Sequence, residues 1–118
     1  MEIWMEIPET SGQYQVSNLG HVRLMFRMRT LKKKRKVEKI KEFVSEAKTP
    51  ALNIETNEIG WFVYFDGRFN FISREELMKR FAAQGVATQV DVSLDACAIA
   101  KGNEARARRK ASEQEGAL

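Results

Sequence analysis

The sequence predicts an α+β fold in which two β-hairpins form a small antiparallel sheet with two to three helices. Three observations predict it. Alternating apolar and polar residues flank turn residues at 17–20, two aromatic runs flank the dipeptide Asp66-Gly67, and an amphipathic helical pattern follows each hairpin. A chain of 118 residues is enough for one domain with a modest core.

The first hairpin is predicted from residues 13–27. Tyr14 and Val16 precede the turn and alternate with polar residues, and the same alternation continues after the turn to Phe26. Asn18 and Gly20 supply turn chemistry, because both residue types tolerate left-handed backbone angles. We therefore expect strands near 13–17 and 21–27.

The same stretch carries a family pattern, W…I…G-x-Y-x-V-S-N-L-G-x-V-R, over residues 4–23. Its members are Trp4, Ile7, Gly12, Tyr14, Val16, Ser17, Asn18, Leu19, Gly20, Val22 and Arg23. The pattern resembles the fourth type of nuclease-associated modular DNA-binding domain (the NUMOD family), which is found beside His-Asn-His catalytic cores in phage homing endonucleases. The resemblance implies that DNA is the partner, and it extends more loosely to Gly60–Val63 and to the segment from Leu77 to Phe81.

The positive charge of the chain is concentrated in one segment. Residues 23–41 hold ten Lys and Arg against one acid, whereas the whole chain has a net charge of +4. A solvated helix face usually mixes both signs, so this block indicates contact with a polyanion. Apolar residues spaced by three and four predict an amphipathic helix over 35–48, ended by Thr49-Pro50. A continuing strand through 31–40 is the alternative.

The second half of the chain predicts a connection, a hairpin and two helices. Residues 50–60 read as a connection, and Asp66-Gly67 then joins two aromatic runs as a hairpin. Its inward face is either Phe62, Tyr64, Phe69 and Phe71 or the alternate set. A capping box begins a helix near 74–83, with Ser73 as N-cap and Gly85 as C-terminal stop.

The end of the chain predicts an extended segment at 86–92 and an Ala-rich helix over about 94–113. Gly102 weakens the middle of that helix. We expect two regions, a NUMOD-like DNA-binding domain at 1–85 and an extension with a basic helix at 86–118. The thin apolar stripe of this helix leaves a homodimer open.

The sequence offers little catalytic chemistry. A His-Asn-His nuclease needs a histidine general base and further His or Asn residues for the metal, and His21 is the single histidine here. We therefore expect no enzyme activity, no metal and no cofactor. The aromatic cluster at 61–71 reads either as hydrophobic core, which we favour, or as a platform on which single-stranded bases stack.

The expected function is non-catalytic binding of duplex DNA, in a protein of phage or mobile-element origin. The alternative is a small phage effector that binds and inhibits a host nucleic-acid-binding or defence complex. His21 reads either as a phosphate donor or as a surface turn residue. The predicted nucleic-acid-binding residues are Gln15, Asn18, His21, Arg23, Arg27, Arg29, Lys32, Lys33, Lys34, Arg35, Lys36, Lys39, Arg106, Arg108 and Arg109.

The expected compartment is the cytoplasm of a bacterial host. A single cysteine, Cys97, allows no internal disulfide, and no apolar run approaches membrane-spanning length.

Overall fold

The first half of the chain forms a four-stranded antiparallel sheet. The computed structural model describes residues 1–116. The strands β1 (Trp4–Glu6), β2 (Tyr14–Ser17), β3 (Val22–Lys33) and β4 (Lys36–Lys48) lie in the order β1-β2-β3-β4. A 3-10 turn, Pro8–Thr10, joins β1 to β2. The β2–β3 pair confirms the predicted strands, and Gly20 takes the positive φ of the turn, +75°.

A second, three-stranded antiparallel sheet follows. Its strands β5 (Ala51–Asn53), β6 (Glu58–Phe65) and β7 (Arg68–Ser73) lie in sequence order. Asp66 and Gly67 have φ angles of 54° and 76°, and two consecutive positive φ values are what a type I′ turn requires. The pairing predicted around Asp66-Gly67 is therefore present, and the predicted connection at 50–60 contains the short strand β5.

Two helices complete the described fold. Helix α1 (Arg74–Ala83) starts at the predicted N-cap, where the Ser73 hydroxyl accepts a hydrogen bond from the Glu76 N–H at 3.2 Å. Gly85, with φ +74°, follows its end. Helix α2 spans Asp95–Gly116, and the last two residues of the predicted extension, 117–118, lie outside the described residues. No helix within residues 1–116 combines the length and apolarity needed to cross a bilayer.

The strands form two sheets, and the prediction of one small sheet is wrong. The β4 strand ends at Lys48, and Pro50, which lacks an N–H, stands between it and β5. The second sheet packs against the first through their faces. One tie between them is the Tyr14 hydroxyl, which accepts a hydrogen bond from the Tyr64 N–H at 3.1 Å.

The helix predicted over 35–48 is also wrong, because this segment is strand β4. Lys32 pairs with Val37, Arg29 with Ile40 and Phe26 with Phe43. The apolar residues of this segment therefore lie on both faces of a two-stranded ribbon and not along one face of a helix. A helix here would have begun with a run of cations at the positive end of its dipole. The alternative of a continuing strand through 31–40 has the right structure type, but the chain reverses at Lys34-Arg35, so two antiparallel strands share this range.

The core lies where the two sheets and α1 meet. It contains Ile7, Tyr14, Val16, Val22 and Leu24 from the first part of the chain, and Trp61, Val63, Leu77 and Phe81 from the second. The inward face of the second hairpin is thus the set with Trp61 and Val63. Its neighbours Phe62, Tyr64 and Phe69 are exposed.

Helix α2 packs closely on strand β5 at Gly102. This glycine is buried, and a Cβ at its position would lie 2.5 Å from Leu52 Cδ2 and 2.8 Å from Leu52 Cβ. The glycine that weakens the helix as an isolated element is therefore what allows the helix to approach the sheet.

We expect Gly102→Ala to destabilise the protein by about 1 kcal/mol in urea unfolding. The gain in helix propensity of about 1 kcal/mol is outweighed by an overpacking cost of roughly 1–3 kcal/mol against Leu52. The control is Asn103→Ala, an exposed neighbour on the same helix, which we expect to be neutral or stabilising by a few tenths of a kcal/mol. A Gly102→Ala protein more stable than the wild type would contradict this packing.

Candidate nucleic-acid interface

The distal parts of β3 and β4 form a two-stranded ribbon that leaves the body of the protein. We call residues 26–43 the arm. Eight residues of β3, from Phe26 to Lys33, pair with eight of β4, which gives a length of about 25 Å. The radius of gyration, 17.6 Å, exceeds the roughly 13–14 Å of a compact chain of this length. The principal-axis extents of 51 × 48 × 21 Å show that the molecule is flat and extended, and the arm contributes to this shape.

A tight turn of two residues, Lys34 and Arg35, closes the tip of the arm. Lys34 has a positive φ of 51°, a conformation that most residues avoid, at the first central position of the turn. The paired residues on either side are Lys33 and Lys36. Four consecutive cations therefore share the tip of the ribbon.

Two aromatic rings and a lysine define the root of the arm. The rings of Phe26 and Phe43 meet edge to face with centroids 6.3 Å apart, and Lys41 Nζ lies 3.9 Å from the Phe26 centroid. A β-bulge lies just below, where the register shifts between Leu24 and Phe26, and Ser45 in β4 has a φ of 44°. The bulge marks where the ribbon leaves the sheet.

The two faces of the arm differ in charge. Residues directly opposite in an antiparallel pair share a face, so the pairing divides the arm into two sets. The lysine face carries no acid and consists of Phe26, Met28, Thr30, Lys32, Val37, Lys39, Lys41 and Phe43. The mixed face consists of Arg27, Arg29, Leu31, Lys33, Lys36, Glu38, Ile40 and Glu42.

Most of the predicted cations of the arm are exposed and have no carboxylate partner. The arm holds nine Lys and Arg against two Glu, a net charge of +7. Arg27 forms an ion pair with Glu46 at the root. Among the residues whose side chains are described, the other predicted arm cations form no ion pair, namely Arg29, Lys32, Lys33, Lys34, Arg35, Lys36 and Lys39.

Gln15 and Arg23 lie on the sheet below the arm and bind each other. The Arg23 guanidinium donates to Gln15 Oε1 at 2.9 Å and 2.6 Å and stacks over the Trp4 ring at 3.9 Å. Both side chains are half-buried. They form a fixed patch on the face of the first sheet opposite the core.

Asn18 is buried and fully engaged, so the structure contradicts its prediction as a DNA contact. Its side-chain oxygen accepts a hydrogen bond from the Ile3 N–H at 2.7 Å, and its amide donates to the carbonyls of Met1 and Ala87 at 3.4 Å and 3.1 Å. A turn residue that bonds two distant backbone segments acts as a structural tie.

His21 is held between two carboxylates and belongs to the same structural tie. Its Nδ1 lies 2.5 Å from Glu2 Oε2 and its Nε2 2.9 Å from Asp91 Oδ2. Both ring nitrogens are occupied, so the prediction of a phosphate donor does not fit this geometry. The alternative, a turn residue, describes it better, although its partners, Glu2 and Asp91, lie 19 and 70 residues away in sequence.

These contacts shift the pKa values of the histidine and the aspartate in opposite directions. The hydrogen bond that His21 donates to Asp91, supported by the one to Glu2, raises the pKa of His21 above its ordinary value near 6.5. The same hydrogen bond, with those from Ser93, lowers the pKa of Asp91 to about 2. The imidazolium form therefore stabilises this contact.

The second predicted basic cluster, on α2, is paired with local acceptors. Arg106 donates to the Ile54 carbonyl and to Asn57 Oδ1, both at 3.3 Å. Arg108 pairs with Glu104 at 3.0 Å, and Arg109 lies 3.6 Å from Glu55. Arg106 and Arg109 fasten the helix to the β5–β6 connection, whereas Arg108 pairs within the helix, so the charge of the cluster is partly compensated.

The prediction missed the apolar and aromatic members of the lysine face. Phe43, Val37 and Met28 are 74, 65 and 56% exposed, and Lys41 completes the row. The signal was present in the alternation Val37, Lys39, Lys41, Phe43, which places all four on one face of a strand. The helical reading of 35–48 concealed it.

The match to a known protein family covers the first sheet and most of the arm. Residues 2–42 match the family model described as the NUMOD4 motif. This motif is a DNA-binding-associated motif of homing endonucleases. No curated protein and no solved structure matches the chain. Among the described residues, no group of three or more His, Cys, Asp and Glu side chains is placed to hold a metal ion.

We expect His21 to titrate with a midpoint above 6.5 in an NMR pH titration, which is unambiguous because it is the single histidine. Because folding raises the pKa of His21, this contact stabilises the folded protein fully below pH 6.5. The stabilisation is lost as the pH rises through the pKa of His21 in the folded state. The Asp91 contribution is present above pH 3.8 and is lost as the pH falls toward about 2.

Asp91→Asn is expected to lower the His21 midpoint, because its hydrogen bond is the largest cause of the shift. Asp66→Asn, in the turn of the second hairpin, is the matched control and leaves the midpoint unchanged. A wild-type midpoint at or below 6.5 would show that the two carboxylates do not hold the imidazolium.

Proposed function

We propose that this protein binds duplex DNA through the arm and that it acts by binding, without cleaving the strand. The observation that carries the proposal is the set of eight exposed arm cations that form no ion pair with a described carboxylate, on one projecting ribbon. Lys and Arg on such a surface displace condensed counterions from phosphates, and this release drives binding.

The shape of the arm supports a polyanion as its partner. Its residues from 27 to 43 contribute nothing to the buried core, so their side chains are free to contact a ligand. A second copy of the arm is a poor partner, because two ribbons of +7 repel each other, and lysines on exposed strands oppose edge-to-edge pairing. A phosphate backbone satisfies the same charges.

The lysine face is the better docking face. Its three lysines meet no acid on that face, whereas Glu38 and Glu42 on the mixed face would repel phosphates. Its exposed apolar side chains are suited to sugars and thymine methyl groups, which a flat polar surface contacts poorly. We infer that the lysine face lies on the DNA and the mixed face toward solvent.

The family motif and the composition of the chain support the two parts of the proposal. The motif is DNA-binding-associated and extends over residues 2–42, which include nearly the whole arm. A single histidine is too few for a His-Asn-His centre within this sequence. The link of the motif to homing endonucleases supports an origin in a phage or mobile element.

Neutralising the tip is expected to weaken duplex binding and flatten its salt dependence. For the wild type, about six phosphate contacts predict a slope near −5 for log affinity against log salt. The triple variant Lys34→Gln, Arg35→Gln, Lys36→Gln removes two turn cations that we expect to contact phosphates, Lys34 and Arg35, and one cation of the mixed face, Lys36. It is expected to reduce that slope by about 1.8 and the affinity at least about tenfold at ~0.1 M salt. Fluorescence anisotropy with a labelled duplex measures both.

The matched control removes three charges from helix α2, with Arg106→Gln, Arg108→Gln and Arg109→Gln. Because these arginines already have acceptors, we expect less than about a threefold change in affinity. Equal losses of duplex affinity in the two triple variants would show that binding depends on the net charge of the protein and not on the cations of the arm. Unchanged DNA binding, with loss of one host protein from a nuclease-treated lysate, would instead favour the inhibitor function.

A second pair of triples tests the orientation of the arm. The first triple variant removes all three charges of the lysine face, with Lys32→Gln, Lys39→Gln and Lys41→Gln. The second removes three positive charges from the mixed face, with Arg29→Gln, Lys33→Gln and Lys36→Gln. We expect the first triple to lose at least about fivefold more duplex affinity, since its charges lie nearest the phosphates. The reverse order in the same anisotropy assay would place the mixed face on the DNA.

A further inference from the structure

Four aromatic side chains form a row on the outer face of the second sheet. We call Phe62, Tyr64, Phe69 and Phe71 the aromatic ladder. Phe62 pairs across the strands with Phe71, with ring centroids 5.2 Å apart, and Tyr64 pairs with Phe69 at 5.1 Å. Phe69 is 67% exposed and Phe62 49%. All four belong to β6 and β7, outside the segment that matches the family motif.

The ladder is not needed for the core. The opposite face of the same strands supplies Trp61 and Val63 to the buried cluster beneath Leu77 and Phe81 of α1. The interpretation of these aromatics as core therefore holds for the inner set only. Strand alternation sends the other rings outward, where no part of the described chain buries them.

Gly60 helps to form the surface of the ladder. A Cβ at this position would lie 2.8 Å from Phe71 Cζ and 2.2 Å from the Ile72 carbonyl oxygen. The absence of a side chain thus lets the Phe71 ring lie close against the strand backbone. The ladder is a built surface and not four separate side chains.

Cations flank both ends of the ladder. At one end a cleft at the root of the arm is lined by Tyr64 and Phe69 together with Arg27 and Lys48, with Asp66 as its one lining acid. At the other end a cleft along α2 is lined by Phe62 with Lys101 and Arg109, with Glu55 as its one acid. Glu46 pairs with both Arg27 and Lys48, and Arg109 lies 3.6 Å from Glu55, so Lys101 is the lining cation for which the described residues show no ion pair.

We propose that the aromatic ladder binds unpaired nucleotides of a single strand, whose bases stack on its rings while the flanking cations contact the phosphates. Aromatic side chains in a cationic groove are the general means of holding single strands, because every base has a π face. Bases inside a duplex are already stacked and do not offer their faces to a protein. The ladder therefore takes a different form of nucleic acid from the arm.

The size of the ladder favours bases over a second copy of the chain. Its three most exposed rings, Phe69, Phe62 and Tyr64, present roughly 300 Å² of accessible surface, because a whole aromatic side chain offers about 150–250 Å². A stable protein interface needs about 800 Å² from each partner. The same area is enough for two or three stacked bases.

The inference goes beyond the duplex contact proposed above, and it can fail separately. The probes are a 15-nucleotide oligodeoxythymidylate, which has no internal pairing, and a mixed-sequence duplex of the same length. Phe69→Leu and Tyr64→Leu are each expected to weaken binding of the oligodeoxythymidylate about tenfold, with an unchanged salt slope and unchanged duplex affinity. Tyr64→Phe, which keeps the ring, is expected to bind as the wild type does.

The matched control is Val92→Ala, which removes a comparably exposed apolar side chain, 60% exposed, outside both the ladder and the arm and is expected to leave oligodeoxythymidylate binding within about twofold. Circular dichroism melts of all variants show whether the sheet is intact. Equal single-strand affinity in Phe69→Leu and the wild type would overturn the inference and leave the arm proposal standing. Loss of single-strand binding in Phe69→Leu, with duplex binding indifferent to the arm triples, would support the ladder and overturn the arm.

Sedimentation velocity without nucleic acid supplies the remaining outcome. A monomeric wild type is expected at micromolar concentration. A dimer that Phe69→Leu dissociates would identify the ladder as a self-association face and overturn its assignment to single strands.

Discussion

The continuity of strand β3 is the constraint on which the rest of the structure depends. Its first residues, Val22 and Leu24, are buried in the core, and its last eight form half of a ribbon with no core of its own. An isolated two-stranded hairpin is at best marginally stable in water. The arm therefore holds its shape because one strand continues from the body into solvent, with Phe26, Phe43 and Lys41 packed at its root.

Two further features of the structure are the like charges of the arm and the polar contacts that stabilise the sheet below it. Like charges face each other across the strands, as at Lys33 and Lys36, which destabilises the free arm and favours a bound anion. Below the arm, the polar motif residues Asn18 and His21 fasten the N-terminus and the segment that ends at Asp91 to the first turn. The polar side chains of the turn thus stabilise the first sheet, and the cations of the arm are left for the ligand.

Local signals in the sequence predicted much of this fold. The alternation around Tyr14 and Val22, the Asp66-Gly67 turn and the Ser73 cap each depend on neighbours within a few residues, and the structure confirms all three. The segment 36–48 was mistaken for a helix because its strand conformation depends on pairing with β3. The roles of Asn18 and His21 are not visible in the sequence because their partners lie 15 to 70 residues away. The two-sheet arrangement and the outward aromatic ladder likewise follow from contacts that no local pattern records.

The central claim is that duplex DNA covers the arm, and lysine acetylation with mass spectrometry tests it most directly. The arm lysines and two lysines on the helices, Lys79 and Lys101, are all exposed in the free protein, so all are expected to react. With saturating duplex at low salt, the account predicts that Lys32, Lys39 and Lys41 are protected several-fold, while Lys79 and Lys101 react at their free rates. Equal reactivity of the arm lysines with and without duplex, at a concentration where the duplex is bound, would contradict it.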